Sequence, residues 1–277
     1  MSTLEVSGKP YSMPELLVYW ILERENIRKA KEAGKPKPWS EDPIFQKVYF
    51  CNVHREDDRV TRWIRRNYTH DLFGDRYELA MCVARIFNLP NTLHAIKMNL
   101  RFGQWGGIET ALGLRQDQGH KVWSGAYVIT THGRKMSKLD YCIEILQAAE
   151  RVLPLPFLRT CDNYHRKLMQ LEGFGSFLAA QVVADLKNTT GHWLASASDW
   201  MTFSAPGPGS IRGLSWYFDK KVTYATYQEH IAEVARDLHW RDGMQDLQNC
   251  LCEFDKYCRV LSGTGRSKRK YPGLDAN

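Results

Sequence analysis

No apolar run in this 277-residue chain approaches the length needed to cross a membrane. The N-terminus lacks the basic stretch and apolar core of a signal peptide. Seven cysteines are an odd number, and none form a paired Cys-x-x-Cys. Cys250, Cys252 and Cys258 lie close together, but a clustered iron–sulfur site needs four ligands and only three are present. The expectation is therefore reduced core or surface thiols in a cytoplasmic setting, with no metal and no organic cofactor required. There is no internal repeat, and almost no segment reads as a strand. Ala126 to Thr130 is the one candidate, either a short strand or an extended crossing.

What is present is a hydrophobic content of 43%, with nine Trp and thirteen Tyr. That suffices for one substantial core and excludes disorder over most of the length. The formal net charge is +7, which favours a polyanionic partner without proving one. Helical spacing predicts helices over 14–33, 56–67, 75–88, 138–152, 225–238 and 243–261, and a short one near Thr92. Residues 160–187 predict two helices joined by Glu172-Gly173-Phe174-Gly175. Gly-rich 103–134 predicts no long helix, and 188–215 reads as loop. The class is all-α. Residues 1–262 form one helical domain, or two lobes around a cleft, and 263–277 form a basic mobile tail.

Four segments carry candidate chemistry. LEGFGSFLAAQVVADL (171–186) places Gly173 and Gly175 before an Ala-rich helix. Glycines there permit a tight turn and leave backbone N–H groups open to a phosphate; the alternative is an ordinary Gly-capped corner. Gln181 and Asp185 share one face of that helix and suit either solvent or a base pocket. In FCNVHREDDRVTRWIRR (50–66), Arg55, Arg59, Arg62 and Arg66 align on one helical face, with Asp58 spaced to pair with Arg62. This is a phosphate-binding row or a solvated face of intrahelical ion pairs.

SAPGPGSIRGL (204–214) puts Gly207, Gly209 and Arg212 in a loop suited to phosphate, or in a simple turn; no Gly-Lys-Ser/Thr of a nucleotide loop follows. Asp199, just upstream, is a candidate general base. QNCLCEFDKYC (248–258) sets Asn249, Glu253 and Lys256 on one helical face, in a cleft or as a surface ion pair.

In this order the four segments resemble the phage alpha-glutamyl/putrescinyl thymine pyrophosphorylases, also called amino acid:DNA transferases, over about residues 14–271. A related helical domain is fused to phage 5-hydroxymethyluracil DNA kinases. The resemblance implies a helix-hairpin-helix, DNA-glycosylase-like helical fold acting in the host cytoplasm. It implies a DNA substrate in which 5-hydroxymethyluracil carries a (pyro)phosphate, which an amino acid or polyamine displaces at the methylene carbon. On that reading Arg55, Arg59, Arg62 and the Gly207–Arg212 loop meet phosphate. Asp58, Asp199 or Glu253 takes the amine's proton, and Arg212 or Lys256 holds an amino acid's carboxylate. Asn52, Gln181 and Asp185 read the base edge. Bifunctional DNA glycosylases place a Schiff-base lysine two residues after the hairpin's second glycine. Phe177 stands there in this chain, which argues against lyase chemistry. Asp199 is an approximate match to a glycosylase's catalytic aspartate, so a monofunctional glycosylase is the alternative enzyme. A non-catalytic DNA-binding module is the alternative outside enzymes.

Overall fold

The computed structural model describes residues 3–127 and 129–265. The chain opens with an antiparallel hairpin, β1 (Thr3–Val6) and β2 (Lys9–Ser12), joined through Ser7 and Gly8. Both turn residues have positive φ, at 50° and 83°, the two-residue turn whose twist matches the flanking strands. Helix α1 (Met13–Glu32) follows directly. Its start is fixed by Ser12, whose N–H donates to the Glu15 carboxylate at 3.0 Å. Gly34, at φ 68°, ends the run. Helix α2 (Pro43–Lys47) is a short turn capped by Asp42.

Arg59–Phe203 forms one compact unit and carries eight of the helices. These are α3 (Arg59–Asn67), α4 (His70–Phe73), α5 (Tyr77–Phe87), α6 (Pro90–Arg101), α7 (Trp105–Asp117), α8 (Lys138–Glu150), α9 (Cys161–Leu168) and α10 (Ser176–Lys187). Every residue of α5 is buried, so this helix is the centre of the unit. Its sequence, YELAMCVARIF, is apolar nearly all round, as a surrounded helix must be. Helices α4, α6, α8 and α10 pack against it.

The second compact unit joins the described residues up to Asp58 with those from Ser204 onward. Three helices complete it: α11 (Pro208–Phe218), α12 (Tyr227–Asp237) and α13 (Met244–Leu261). Its core gathers Leu17 and Trp20 of α1, Phe45, Phe50, Leu214, Ile231, Leu251, Phe254 and Tyr257. Phe45 lies 5.1 Å from Phe50 and 5.3 Å from Tyr257, ring centre to ring centre. Helix α11 lies unusually close to α13. A Cβ on Gly213 would run into the carbonyl oxygen of Leu251, and one on Gly209 into the Cys252 sulfur.

The all-helical class holds, with one two-stranded sheet among the described residues. Several boundaries differ. The helix expected over 56–67 begins at Arg59. Arg55–Asp57 is a separate 3-10 turn, and Asp58 between them is extended, with ψ 134°. The Gly-rich stretch expected to lack a long helix contains the thirteen-residue α7. Ile108 and Leu112 are buried one turn apart, and their burial outweighs the backbone entropy cost of Gly106 and Gly107. The expected Pro-Gly-Pro-Gly loop is half helix, because Pro208 is pre-organised for a first turn and starts α11. Around the candidate strand the described residues 126, 127, 129 and 130 form no strand, and Val128 lies outside the described residues. So does the expected tail from Arg266 onward.

Two glycine substitutions should behave oppositely. Gly213→Ala forces α11 off α13 and should cost at least about 1–3 kcal/mol, read by denaturant unfolding. Gly113→Ala, inside α7 with open space around it, should stabilise by about 0.5–1 kcal/mol.

Candidate nucleic-acid interface

Helices α9 and α10 form the hairpin. The turn is built from Leu171 N–H donating to Leu168 O at 2.9 Å and Phe174 N–H donating to Leu171 O at 3.1 Å. Phe174 plugs the core beneath it. Gly173 sits at φ 81°, and a Cβ there would collide with Ile145 of α8, so conformation and space both require glycine. His165 of α9 ties the hairpin from inside. Its Nε2 donates to Ser176 O at 2.9 Å, and burial lowers its pKa, favouring the neutral ring.

Gly175 is a different case. It is the N-cap of α10, its φ is an ordinary −67°, and nothing lies within 4 Å of where a Cβ would stand. Neither strain nor crowding demands glycine there. What it does is leave the first turn of α10 without a side-chain cap, whereas Asp42, Thr69, Ser137 and Thr160 cap their helices. Uncapped amides at the positive end of a twelve-residue helix favour an anion. Beside them Phe177 is 58% exposed. Its ring meets Tyr127 edge-on at 5.1 Å, and the Tyr127 hydroxyl donates to Gln181 Oε1 at 3.2 Å. An aromatic pair and an amide therefore flank the open helix start.

Asp185 does not face that surface. It is 1% exposed, and both carboxylate oxygens are held by Arg85 of α5, at 2.5 and 2.6 Å. Arg85 also donates to Asn88 Oδ1 at 3.2 Å and Thr61 Oγ1 at 3.1 Å. The base-reading role expected for Asp185 is replaced by this pairing, because a carboxylate buried in an apolar unit must be neutralised where it lies. Asp199 is likewise engaged. It accepts the N–H groups of Cys161 and Asp162 at 2.7 and 3.0 Å, capping α9 from a distant turn.

Within α3, Arg59, Arg62 and Arg66 share the exposed face while Thr61 and Ile64 point inward. Arg65 turns toward α10, donating to Asp185 O at 2.8 Å and Thr189 Oγ1 at 2.6 Å. The arginine row expected from Arg55 to Arg66 is thus shorter by one. Arg55 precedes the extended Asp58 and is off the helix.

In the other unit one face of α13 reads the backbone of residues 49–55. Asp246 accepts the Arg55 N–H at 3.0 Å, Asn249 donates to Asn52 O at 3.1 Å, and Glu253 accepts the Cys51 N–H at 2.9 Å. Lys256 donates to Tyr49 O at 3.0 Å and pairs with Glu253 at 2.6 Å. From the other side Arg24 donates to Cys51 O at 2.8 Å and to the Asn52 side chain. Asn52, Glu253 and Lys256 are therefore brought together, chiefly as a clamp on an extended segment.

Arg212 is elsewhere. It pairs with the buried Asp255 at 2.9 Å, with Trp216 donating to the same carboxylate at 3.3 Å. Asp255 and Glu253 point roughly 160° apart around α13, so Arg212 and Glu253 do not converge. Gly207 N–H donates to Ser210 Oγ at 3.1 Å, and Gly209 lies against Cys252. Both glycines serve the start and packing of α11.

Sequence reading missed Arg85, Asp246 and Asp255. Each left a signal. Arg85 interrupts an apolar run, and Asp255 occupies the apolar stripe of Leu251, Phe254 and Cys258. Asp246 extends the Asn249/Glu253/Lys256 face by one turn.

Also missed was a cleft of about 280 Å³ lined by Tyr77, Glu78, Leu155, His192 and Trp193. Leu194 N–H donates to His192 Nδ1 at 3.2 Å, which places the ring proton on Nε2, toward Glu78 at 3.3 Å. Glu78 also accepts from Leu155 N–H at 2.8 Å and from the Tyr164 hydroxyl, so Glu78 and His192 are both engaged within the protein. Among the described residues no group of three or more His, Cys, Asp or Glu could hold a metal ion, and no helix is long and apolar enough to cross a membrane.

These features define an all-helical protein with an open-ended helical hairpin and an arginine face on α3, which Arg65 ties to the far end of α10. The chain belongs to the family of the 5-hmdU DNA kinase helical domain, whose model matches residues 12–267. A 5-hmdU DNA kinase of Bacillus phage SP10 is 25% identical over 283 residues, covering 86% of this chain and 43% of that protein. The chain thus spans under half the length of the curated relative it matches. No solved structure matches it.

Removing either anchoring carboxylate should show as lost stability. Asp185→Ala leaves Arg85 buried and unpaired and should cost about 3–5 kcal/mol in denaturant unfolding. Asp199→Ala removes only a cap, and about 1–2 kcal/mol is expected.

Proposed function

We propose that this chain acts in thymine hypermodification of DNA, transferring an amine to 5-hydroxymethyluracil that carries a (pyro)phosphate. Membership of the 5-hmdU DNA kinase helical-domain family carries this reading. The chain contains no Gly-x4-Gly-Lys-Ser/Thr phosphate loop. The proposal therefore assigns it the step that consumes a phosphorylated base, not the phosphorylation. The resemblance of its four ordered segments to the amino acid:DNA transferases supports the same step.

In that reaction the bond from the base methylene to the ester oxygen breaks and a bond to the amine nitrogen forms. The leaving (pyro)phosphate takes the bonding electrons, and the nucleophile gives up a proton. The leaving group needs positive charge close by. The exposed Arg59 and Arg62 supply it on α3, which Arg65 fastens to α10. The open amides after Gly175 take a backbone phosphate of the DNA strand. Phe177 offers a face for a displaced base to stack on, with the Gln181 amide one turn further along. Asp58, Asp199 and Glu253 are the carboxylates we assign as candidates for the amine's proton. Its co-substrate is an amino acid or polyamine.

The test is incubation of the protein with DNA bearing the (pyro)phosphorylated base and a panel of amines, read by nucleoside mass spectrometry. A new 5-aminomethyl-type nucleoside is expected, and the double substitution Arg59→Ala/Arg62→Ala should reduce its rate at least tenfold. Release of free base with an abasic site would instead establish a glycosylase, and unchanged nucleosides a binding module. A second test concerns the hairpin alone. Gly175→Asp fills the cap with a carboxylate. Melting temperature should hold or rise, while DNA affinity falls about tenfold or more through lost amide contacts and added repulsion.

A further inference from the structure

The end of α1 and the loop after it form a strongly basic groove that the reaction above does not use. Residues 29–39 hold four basic side chains against one acidic one, a surplus of three out of the chain's net +7. The groove encloses about 490 Å³ and is lined by Asn26, Lys29, Lys35, Pro36, Pro38 and Trp39. Trp39 is the aromatic part of its lining. The indole N–H donates to Lys35 O at 2.7 Å, which fixes the ring. The Lys31 and Lys37 ammonium groups lie 4.6 and 5.2 Å from the ring centre. Two cations thus stand close to one indole, and Lys29 and Lys35 line the groove beside it.

The nearby acids are drawn elsewhere in part. Arg28 donates to Glu25 at 2.9 Å and to Glu32 at 2.6 Å, while Lys29 stands 3.9 Å from Glu25. Lysines at a helix C-terminus have an ordinary use, complementing the helix dipole. That accounts for Lys29 and Lys31, and Lys35 and Lys37 lie past the end of the helix. The last carbonyls are already met by backbone: Ala33 N–H donates to Lys29 O at 2.9 Å, Gly34 N–H to Lys31 O at 3.1 Å and Lys35 N–H to Ala30 O at 3.0 Å. Pro36 and Pro38 restrict the loop that carries Lys37, so little order need be lost on binding.

We propose that this groove is a second DNA-contact surface, binding the phosphodiester backbone through Lys29, Lys35 and Lys37 over the Trp39 indole. It rests on DNA being the partner, but not on the transfer reaction. Confined like charge is the physical driver. Burial against the indole, together with Arg24 and Lys37, lowers the Lys31 pKa to about 8. A phosphate in the groove relieves that repulsion and releases counterions from the DNA.

The experiment compares the full chain with Lys35→Ala/Lys37→Ala and Lys35→Arg/Lys37→Arg. Binding to unmodified DNA is measured by fluorescence anisotropy across a salt series. The alanine pair should weaken binding about five- to tenfold at low salt. It should flatten the slope of log affinity against log salt by about 1.4–1.8, from roughly 0.7–0.9 per lost contact. The arginine pair should keep the wild-type slope. Lysine acylation mapped by mass spectrometry should show Lys29, Lys35 and Lys37 protected when DNA is bound. An unchanged slope in the alanine pair, equal labelling with and without DNA, or binding to anionic vesicles but not to DNA would each overturn the proposal. These readouts use DNA without the modified base, so a failed transfer assay leaves them intact.

Discussion

The bidentate contact between Arg85 and Asp185 sets the geometry of the unit that carries the hairpin. Helix α5 is wholly buried, and a guanidinium there cannot remain without a counter-charge. Asp185, near the far end of α10, supplies it. Because the planar fork accepts a carboxylate in one orientation, the contact fixes α10 against α5 in rotation as well as distance. The backbone carbonyl of the same residue receives Arg65, which brings in α3. One buried carboxylate thus helps decide where the open N-terminus of α10 lies and which face of α3 presents Arg59 and Arg62.

The other unit uses a different device for a similar end. An extended segment has backbone groups that neither helix nor sheet satisfies. Here α13 satisfies several of those of residues 49–55 with a file of polar side chains, while Arg24 takes carbonyls from the opposite side. Glu253 and Lys256 are more valuable in this place than as an exposed pair, since each holds a backbone group that would otherwise be left half-buried without a partner.

The two hairpin glycines separate structural need from chemical use. Gly173 meets a steric and a conformational demand. Gly175 meets neither, and its bareness is what keeps the α10 amides open. The sequence pattern Gly-x-Gly displays both alike. Only the surroundings, with Ile145 crowding one and empty space beside the other, tell them apart.

Much was legible without coordinates. The all-helical class, most helix boundaries and the hairpin follow from apolar spacing, Gly and Pro stops and capping residues, because these are local preferences written over a few turns of chain. The same spacing placed Asn249, Glu253 and Lys256 on one face. It did not show that the face meets a backbone segment some two hundred residues earlier. Asp185 read as a base contact and Arg212 as a phosphate contact, whereas their partners, Arg85 and Asp255, lie 100 and 43 positions away respectively. In α7 two buried aliphatic residues overrode a glycine-rich sequence. The sequence by itself determined which segments coil and which residue types were on hand for phosphate chemistry. Tertiary structure decided which of those charges are spent on one another, because burial makes an unpaired charge costly and pairing is settled by distance in space, not along the chain.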